Sequence, residues 1–221
     1  MTDHDQKRDR TEGEIWMSSI KRGGSLALPQ RVILQQDVLR KDECRRLTAI
    51  YDAHAQLSSQ ADYCGNKVLH YFDLEHLPRV QERLEGVVRN VVGALRKYGP
   101  FEKLYLEALF IAMLRRGGFH PSHADNERPE QNEWVPNHTS QRDYSAILYL
   151  NSEFRGGELQ FDGLGIRIAP KGGLLVAFPS HHGFVHGVSP VVRGRRYSIA
   201  LWFTASKRQS LELRTDKPDD R

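Results

Sequence analysis

Arg196-Tyr197-Ser198-Ile199-Ala200-Leu201-Trp202-Phe203 reads as a β-strand. Aliphatic, aromatic and β-branched residues fill it, and no glycine or proline interrupts it. Side chains of a strand point alternately to opposite faces. Arg196, Ser198 and Ala200 therefore share one face, and Tyr197, Ile199, Leu201 and Phe203 the other. This run closes a series. Going back along the chain, residues 174–178, 166–168, 158–161, 144–150 and 104–114 are further apolar or alternating runs, separated by Gly117-Gly118, Gly156-Gly157 and other Gly, Pro and Asn residues. Short strands punctuated in this way predict an antiparallel sandwich or barrel.

Upstream the period changes. Val80, Leu84, Val87, Val88, Val91, Val92 and Leu95 recur at helical spacing, Pro78 suits a first helical position, and Gly99-Pro100 ends the pattern. A second helix is predicted over 37–57 from Val38, Leu39, Cys44, Leu47, Ile50 and Tyr51, with Asp42 and Glu43 placed where a first turn favours negative charge. Two helices on the outside of a sheet make the fold α+β, mainly β. Residues 58–76 show no clear period and read as an ordered loop with a short strand, and the polar segment 126–141, with Pro129, Trp134, Pro136 and His138, reads as a long lid or substrate loop. Residues 1–28 are expected to form a flexible tail and 207–221 a charged, frayed one. Between them 29–206 form a single domain, with helical support over 37–99 and the β core over 101–205.

Of the 221 residues 39% are hydrophobic and 27% charged, an ordinary balance for a folded globular protein. The formal charge of +4 favours anionic partners only mildly, and no stripe of interleaved aromatics marks a groove for a nucleic-acid strand. Cys44 and Cys64 sit in no metal-type spacing, which points to a reducing compartment. No stretch is apolar enough to span a membrane, and residues 1–10 lack the apolar core of a secretory signal. A cytoplasmic protein is expected. Oligomeric state is not readable.

The chemistry is carried by few residues. In Pro121-Ser122-His123-Ala124-Asp125-Asn126, His123 and Asp125 stand two apart, so an extended backbone presents both to one ion. His186, in Val185-His186-Gly187-Val188, follows an apolar strand and a Gly-containing turn that can return it to the first pair. Two imidazoles and one carboxylate form the facial triad that holds non-haem Fe(II) on one side and leaves other positions open. His181 and His182 compete for the third place, though they lie in the turn itself. The guanidinium of Arg196 is a planar fork that matches a carboxylate.

These residues carry a resemblance. The segment 123–204 resembles the catalytic core of Fe(II)/2-oxoglutarate dioxygenases of the prolyl hydroxylase superfamily, and most of all the leprecan-type prolyl 3-hydroxylases. The match runs through His123-Ala124-Asp125-Asn126, then Arg142-Asp143-Tyr144-Ser145-Ala146-Ile147-Leu148-Tyr149-Leu150-Asn151, then Gly156-Gly157-Glu158 and Pro170-Lys171-Gly172-Gly173. It continues through His186-Gly187-Val188 and Gly194-Arg195-Arg196 into Ala200-Leu201-Trp202-Phe203-Thr204. Upstream, 39–47 is similar to the helix that commonly opens such a domain.

The resemblance implies a double-stranded β-helix, jelly-roll or cupin-like, with the N-terminal helices on its major sheet. It implies Fe(II) on His123, Asp125 and His186, 2-oxoglutarate as cosubstrate with Arg196 on its distal carboxylate, O2 as oxidant, and ascorbate as a stimulant. Tyr149 corresponds to a tyrosine that bonds that carboxylate in some prolyl hydroxylases; its competing role is that of a core aromatic. Ser198 shares the face of Arg196. The chain departs from many relatives at Met113-Leu114-Arg115-Arg116, where they carry a tyrosine. The implied activity is hydroxylation of a prolyl or other amino-acid or peptide-like substrate, small molecule or protein, releasing succinate and CO2. Two other readings stay open: an oxygenase tailoring a secondary metabolite, and a non-catalytic metal-binding barrel serving as sensor or binding module.

Overall fold

Eight strands pair, all antiparallel, into the larger sheet. Their order is Ser25–Ala27, Ile33–Gln35, Leu175–Pro179, Tyr144–Tyr149, Arg196–Thr204, Tyr105–Leu114, Asn66–His70 and Ser59–Gln60. The structure is a computed structural model that describes residues 31–60, 66–98 and 103–213, together with the strand pairing of 15–16 and 25–27. A smaller sheet holds Ile15–Trp16, Ile166–Ile168, Leu159–Phe161, His186–Val188 and His120–His123, with only the first of these joined in parallel. The two sheets form the sandwich of a double-stranded β-helix.

Strand alternation divides the apolar residues between two cores. Tyr197, Ile199, Leu201 and Phe203 point outward from the larger sheet and are covered by two helices, α1 (Lys41–Ala53) and α2 (Pro78–Leu95). The helices bury Leu47 and Tyr51, and Leu84, Val91 and Leu95, against that face. Tyr149, Val176 and Phe178 point inward and meet Leu159, Phe161, Ile168 and Val188 of the smaller sheet. Each fully buried Leu or Phe contributes roughly 1.5–3 kcal/mol, so both cores fix the position of the strands between them.

The elements differ from the expectations at their ends. The first helix was predicted from residue 37, but Asp37 has φ of 56° and Arg40 is extended, so α1 starts at Lys41. The segment 58–76 contains Asn66–His70, in register with the Tyr105–Leu114 strand, and a 3₁₀ turn at Phe72–Leu74. The expected loop 126–141 contains a hairpin, Glu127–Glu130 against Glu133–Pro136, turning at Gln131 with φ of 55°. Its strands are polar and largely exposed, so no apolar alternation announces them. Inside the stretch expected to be a flexible tail, Ser25–Ala27 extends the larger sheet and Ile15–Trp16 the smaller; the rest of 1–30 lies outside the described residues. The C-terminal segment is docked at its start rather than frayed. Leu211 is buried and its N–H donates to the Leu106 carbonyl at 2.7 Å, while 214–221 lie outside the described residues.

Candidate active site

His123 ends one strand of the smaller sheet and His186 begins its neighbour, and the two residues are register partners. Antiparallel pairing therefore brings two imidazoles from distant parts of the chain side by side, with ring centroids 4.6 Å apart. Asp125 follows the first strand and completes the group: one carboxylate oxygen lies 3.6 Å from His123 Nε2 and the other 3.7 Å from His186 Nε2. The three ligand atoms lie within 4.8 Å of one another, and among the described residues no other group of His, Cys, Asp and Glu side chains is so placed. Each ring is oriented by its other nitrogen. His123 Nδ1 is 2.9 Å from the Pro121 carbonyl and His186 Nδ1 is 3.0 Å from the Phe184 carbonyl. A carbonyl only accepts, so Nδ1 carries the proton and the Nε2 lone pair faces the triad's centre.

Asp125 is held just as firmly. Ser145 Oγ donates to its Oδ2 at 2.5 Å and lies 2.8 Å from Ser180 Oγ. Its backbone N–H donates to the Ser180 carbonyl, and its own carbonyl accepts from Thr139 Oγ1 at 2.7 Å and Asn137 Nδ2 at 3.3 Å. Burial pushes the carboxyl of Asp125 up, but the adjacent His186 and His123 and the Ser145 hydroxyl outweigh it and hold the group below the ordinary carboxylate range. Burial lowers His186 to about 4 against the opposing pull of Asp125. His123 is raised: burial works against its charge, but the hydrogen bond and charge of Asp125 prevail. An ionised carboxylate with two histidine nitrogens converging on it is a donor set suited to a divalent cation, which displaces the proton that His123 otherwise attracts.

The same cavity, about 420 Å³, runs from the triad to Arg196 and Ser198. Arg196 is 3% exposed. Its Nη1 donates to Ser198 Oγ at 3.1 Å, and its guanidinium carbon lies 4.8 Å from the centre of the Tyr149 ring. Arg196 Nε and the Tyr149 hydroxyl are buried without a partner in the protein. A charged donor and a hydroxyl left unsatisfied in this way fit an anionic ligand, since an unpaired buried polar group is costly. The glycine pair explains how the arginine fits. A Cβ on Gly157 would lie 2.9 Å from Arg196 Cδ, and one on Gly156 2.2 Å from the Pro190 carbonyl oxygen, with φ positive at both.

The sequence-predicted residues thus divide clearly. His123, Asp125 and His186 are brought together, and Arg196, Ser198 and Tyr149 cluster along the strands leading away from them. His181 and His182 do not join the triad: His182 Nδ1 is 2.7 Å from Glu127 and its ring stacks on Trp134, while His181 accepts from the Gly183 N–H. Other cavity residues were not singled out from the sequence. Arg142 lies over the Trp202 ring at 4.1 Å and is anchored by Glu107 at 2.8 Å. His120 is pushed down to about 3 by burial and by the charge of Arg196. Ser145 could have been found by alternation, since it shares a strand face with Ile147 and Tyr149. Thr139 and Asn137 could not, because they act on backbone.

Comparison with known proteins follows the same lines. The sequence profile of the 2OG-Fe(II) oxygenase superfamily matches residues 109–204. Prolyl 3-hydroxylase 2 of Rattus norvegicus is 46% identical over 94 residues, which is 38% of this chain and 13% of that protein. Prolyl 3-hydroxylase 1 of Homo sapiens is 40% identical over 114 residues, 48% of this chain and 16% of that protein. The chain therefore spans only a small part of the length of the curated relatives it matches. Among solved structures, the viral collagen prolyl hydroxylase of Paramecium Bursaria Chlorella virus-1 in its 2OG complex superposes with a TM-score of 0.60 at 17% identity, covering 82% of this chain and 99% of that one. A Pseudomonas putida prolyl-4-hydroxylase superposes with a TM-score of 0.55 at 25% identity over 80% of this chain and 93% of that one. Built on the double-stranded β-helix and carrying a His-Asp-His group with the donor set that Fe(II) requires, the part of the chain over 109–204 is a 2OG-Fe(II) oxygenase domain.

Proposed function

We propose that this protein is an Fe(II)- and 2-oxoglutarate-dependent hydroxylase that acts on a prolyl residue or a related amino-acid or peptide-like substrate. The observation that carries the reading is the shared cavity: a metal-type triad at one end and a buried, incompletely paired guanidinium at the other. His123, Asp125 and His186 would hold the iron. Arg196, with Ser198 and Tyr149, would hold the distal carboxylate of 2-oxoglutarate. When bound, iron and cosubstrate supply the oxidising chemistry, in which O2 and 2-oxoglutarate yield succinate, CO2 and a hydroxyl group on the substrate.

The protein's own part is placement. Phe178 and Phe161 pack on the His186 ring at 4.5 and 5.7 Å and keep water from that side. Phe110, Trp202 and Arg142 form an aromatic and cationic wall beside the triad, with the Phe110 and Trp202 ring centroids 5.0 Å apart and the rings tilted at 56°. Such a wall suits a pyrrolidine ring, and the relatives named prolyl hydroxylases favour the same substrate class. Cytoplasmic residence belongs to the same reading, resting on a composition with two cysteines, and cell fractionation tests it.

Succinate release tests the proposal directly. With Fe(II), ascorbate, 2-oxoglutarate and a panel of proline-containing peptides and free amino acids, the wild type is expected to turn over and Asp125→Ala to fall to background. Equal turnover in the two would discard the triad as the metal site, and no succinate with any substrate, together with no 2-oxoglutarate binding, would discard the enzyme.

A further inference from the structure

Four exposed arginines, Arg115, Arg116, Arg155 and Arg193, come from three separate stretches of the chain and surround one patch of the surface. Backbone pairing brings them there. The short strand Val191–Arg193 pairs antiparallel with Arg155–Gly156, and Arg155 is the register partner of Arg193. On its other side Val191 is bonded to the turn that follows the Tyr105–Leu114 strand: Gly117 N–H donates to the Val191 carbonyl at 2.8 Å, and Val191 N–H to the Gly118 carbonyl at 2.9 Å. Arg115 and Arg116 lie in that turn, which Gly118 N–H closes on the Arg115 carbonyl. Val192, 57% exposed, sits between the arginine-bearing segments, and Phe119 is exposed just beyond the turn.

Folding does not account for the arrangement. Residues directly opposite in an antiparallel ladder are about 4.5–5.5 Å apart, and like charges so placed destabilise it. Among the described residues none of the four guanidinium groups makes an ion pair, a hydrogen bond or a ring contact. The acids nearest Arg155 in sequence are engaged elsewhere: Glu153 accepts from the Ser152 N–H and Glu158 from the Ser189 hydroxyl. Arg40, Arg46, Arg83 and Arg128, by contrast, each have a carboxylate within 3.6 Å. The patch therefore lacks a negative charge that the protein does not supply.

Its extent says what kind of partner brings that charge. Three adjoining backbone segments at about 4.8 Å spacing span about 10 Å, the length of three or four residues of an extended chain and less than the run of nucleotides that a strand-binding groove follows. Val192 and Phe119 add the apolar contact that protein interfaces set within a charged rim. We infer that this patch is a docking surface for an acidic segment of a partner polypeptide, with the guanidinium forks taking its Asp and Glu carboxylates. None of the four arginines lines the active-site cavity, so the inference stands apart from the enzymatic reading.

The test is fluorescence anisotropy with a fluorescein-labelled octaglutamate peptide at low and at physiological salt. The wild type is expected to bind, more weakly as salt rises. Arg155→Ser/Arg193→Ser should bind about fivefold more weakly or worse, the equivalent of two exposed ion pairs. Arg79→Ser/Arg89→Ser, which removes the same charge from helix α2, should bind like the wild type. Arg193→Glu should lose the peptide and raise the Tm, because an opposed like-charge pair becomes an ion pair, and Mn(II) affinity should stay unchanged in every variant. No binding by the wild type, or an equal loss in the two double variants, overturns the inference. So does a lower Tm in Arg193→Glu, which would mean that the arginines are already compensated. Tighter binding of a single-stranded oligothymidylate than of the peptide, lost in Arg155→Ser/Arg193→Ser, would make the patch a nucleic-acid surface and overturn the polypeptide partner.

Discussion

The two faces of the larger sheet carry the same strands and satisfy their polar groups in opposite ways. On the helix-covered face three buried tyrosines are fully used: Tyr197 donates to Asp52 at 2.7 Å, Tyr71 to Glu85 at 2.6 Å and Tyr51 to the Lys67 carbonyl at 3.3 Å. On the cavity face Arg196 Nε, the Tyr149 hydroxyl, Trp202 Nε1 and both amide atoms of Asn66 are buried and unpaired. Folding alone selects paired groups, because each unpaired one costs about 1–3 kcal/mol. The helix face is therefore built for stability, and these cavity-face atoms are completed only by what binds there.

The largest expected effect tests the first half of that contrast. Phe203 is fully buried on the helix face, and Phe203→Ala should lower the unfolding free energy by about 3–5 kcal/mol, measured by urea denaturation. At low denaturant the folded fraction should bind Mn(II) like the wild type. A tenfold loss of Mn(II) affinity there would show that the two faces are coupled and the division false.

The second effect is its mirror image. Arg196→Met keeps the volume and removes the charge, so 2-oxoglutarate binding should weaken by the equivalent of about 2–5 kcal/mol, read by calorimetry on Mn(II)-loaded protein. Stability should hold or rise, since replacing a buried charge by an apolar group is often neutral or favourable. Unchanged 2-oxoglutarate affinity would move the carboxylate clamp elsewhere, and a large loss of stability would place Arg196 with the structural residues.

The same contrast explains how much was legible in the sequence. Alternation through 196–203 assigned Tyr197, Ile199, Leu201 and Phe203 to one face and Arg196 and Ser198 to the other, as the structure has them. The spacing of His123 and Asp125 and the turn before His186 brought the triad within view, because those side chains project from strands whose pairing the local pattern constrains. The hairpin Glu127–Glu130 with Glu133–Pro136 escaped because its pairing is backbone hydrogen bonding between polar, exposed residues. Asn66 escaped for another reason. It lines the cavity only because Asn66–His70 pairs with Tyr105–Leu114, and that register is not announced by any local pattern.

The smallest expected effect probes where the two faces come closest in character. Ser145 is a buried polar residue on the cavity face, but unlike Asn66 and the Tyr149 hydroxyl it is satisfied, donating to Asp125 at 2.5 Å and lying 2.8 Å from Ser180 Oγ. Removing a hydroxyl that orients a metal-binding carboxylate typically costs 10–100-fold in metal affinity. Ser145→Ala should weaken Mn(II) binding to about that extent, and Ser145→Thr, which keeps the hydroxyl, should recover most of it. The protein should not unfold, because the backbone of Asp125 is tied separately by the Ser180 carbonyl and by Thr139 and Asn137. Wild-type Mn(II) affinity in Ser145→Ala would mean that the backbone alone sets the carboxylate. The positions that position the metal would then be the three ligands and the strands beneath them, with no help from the cavity wall.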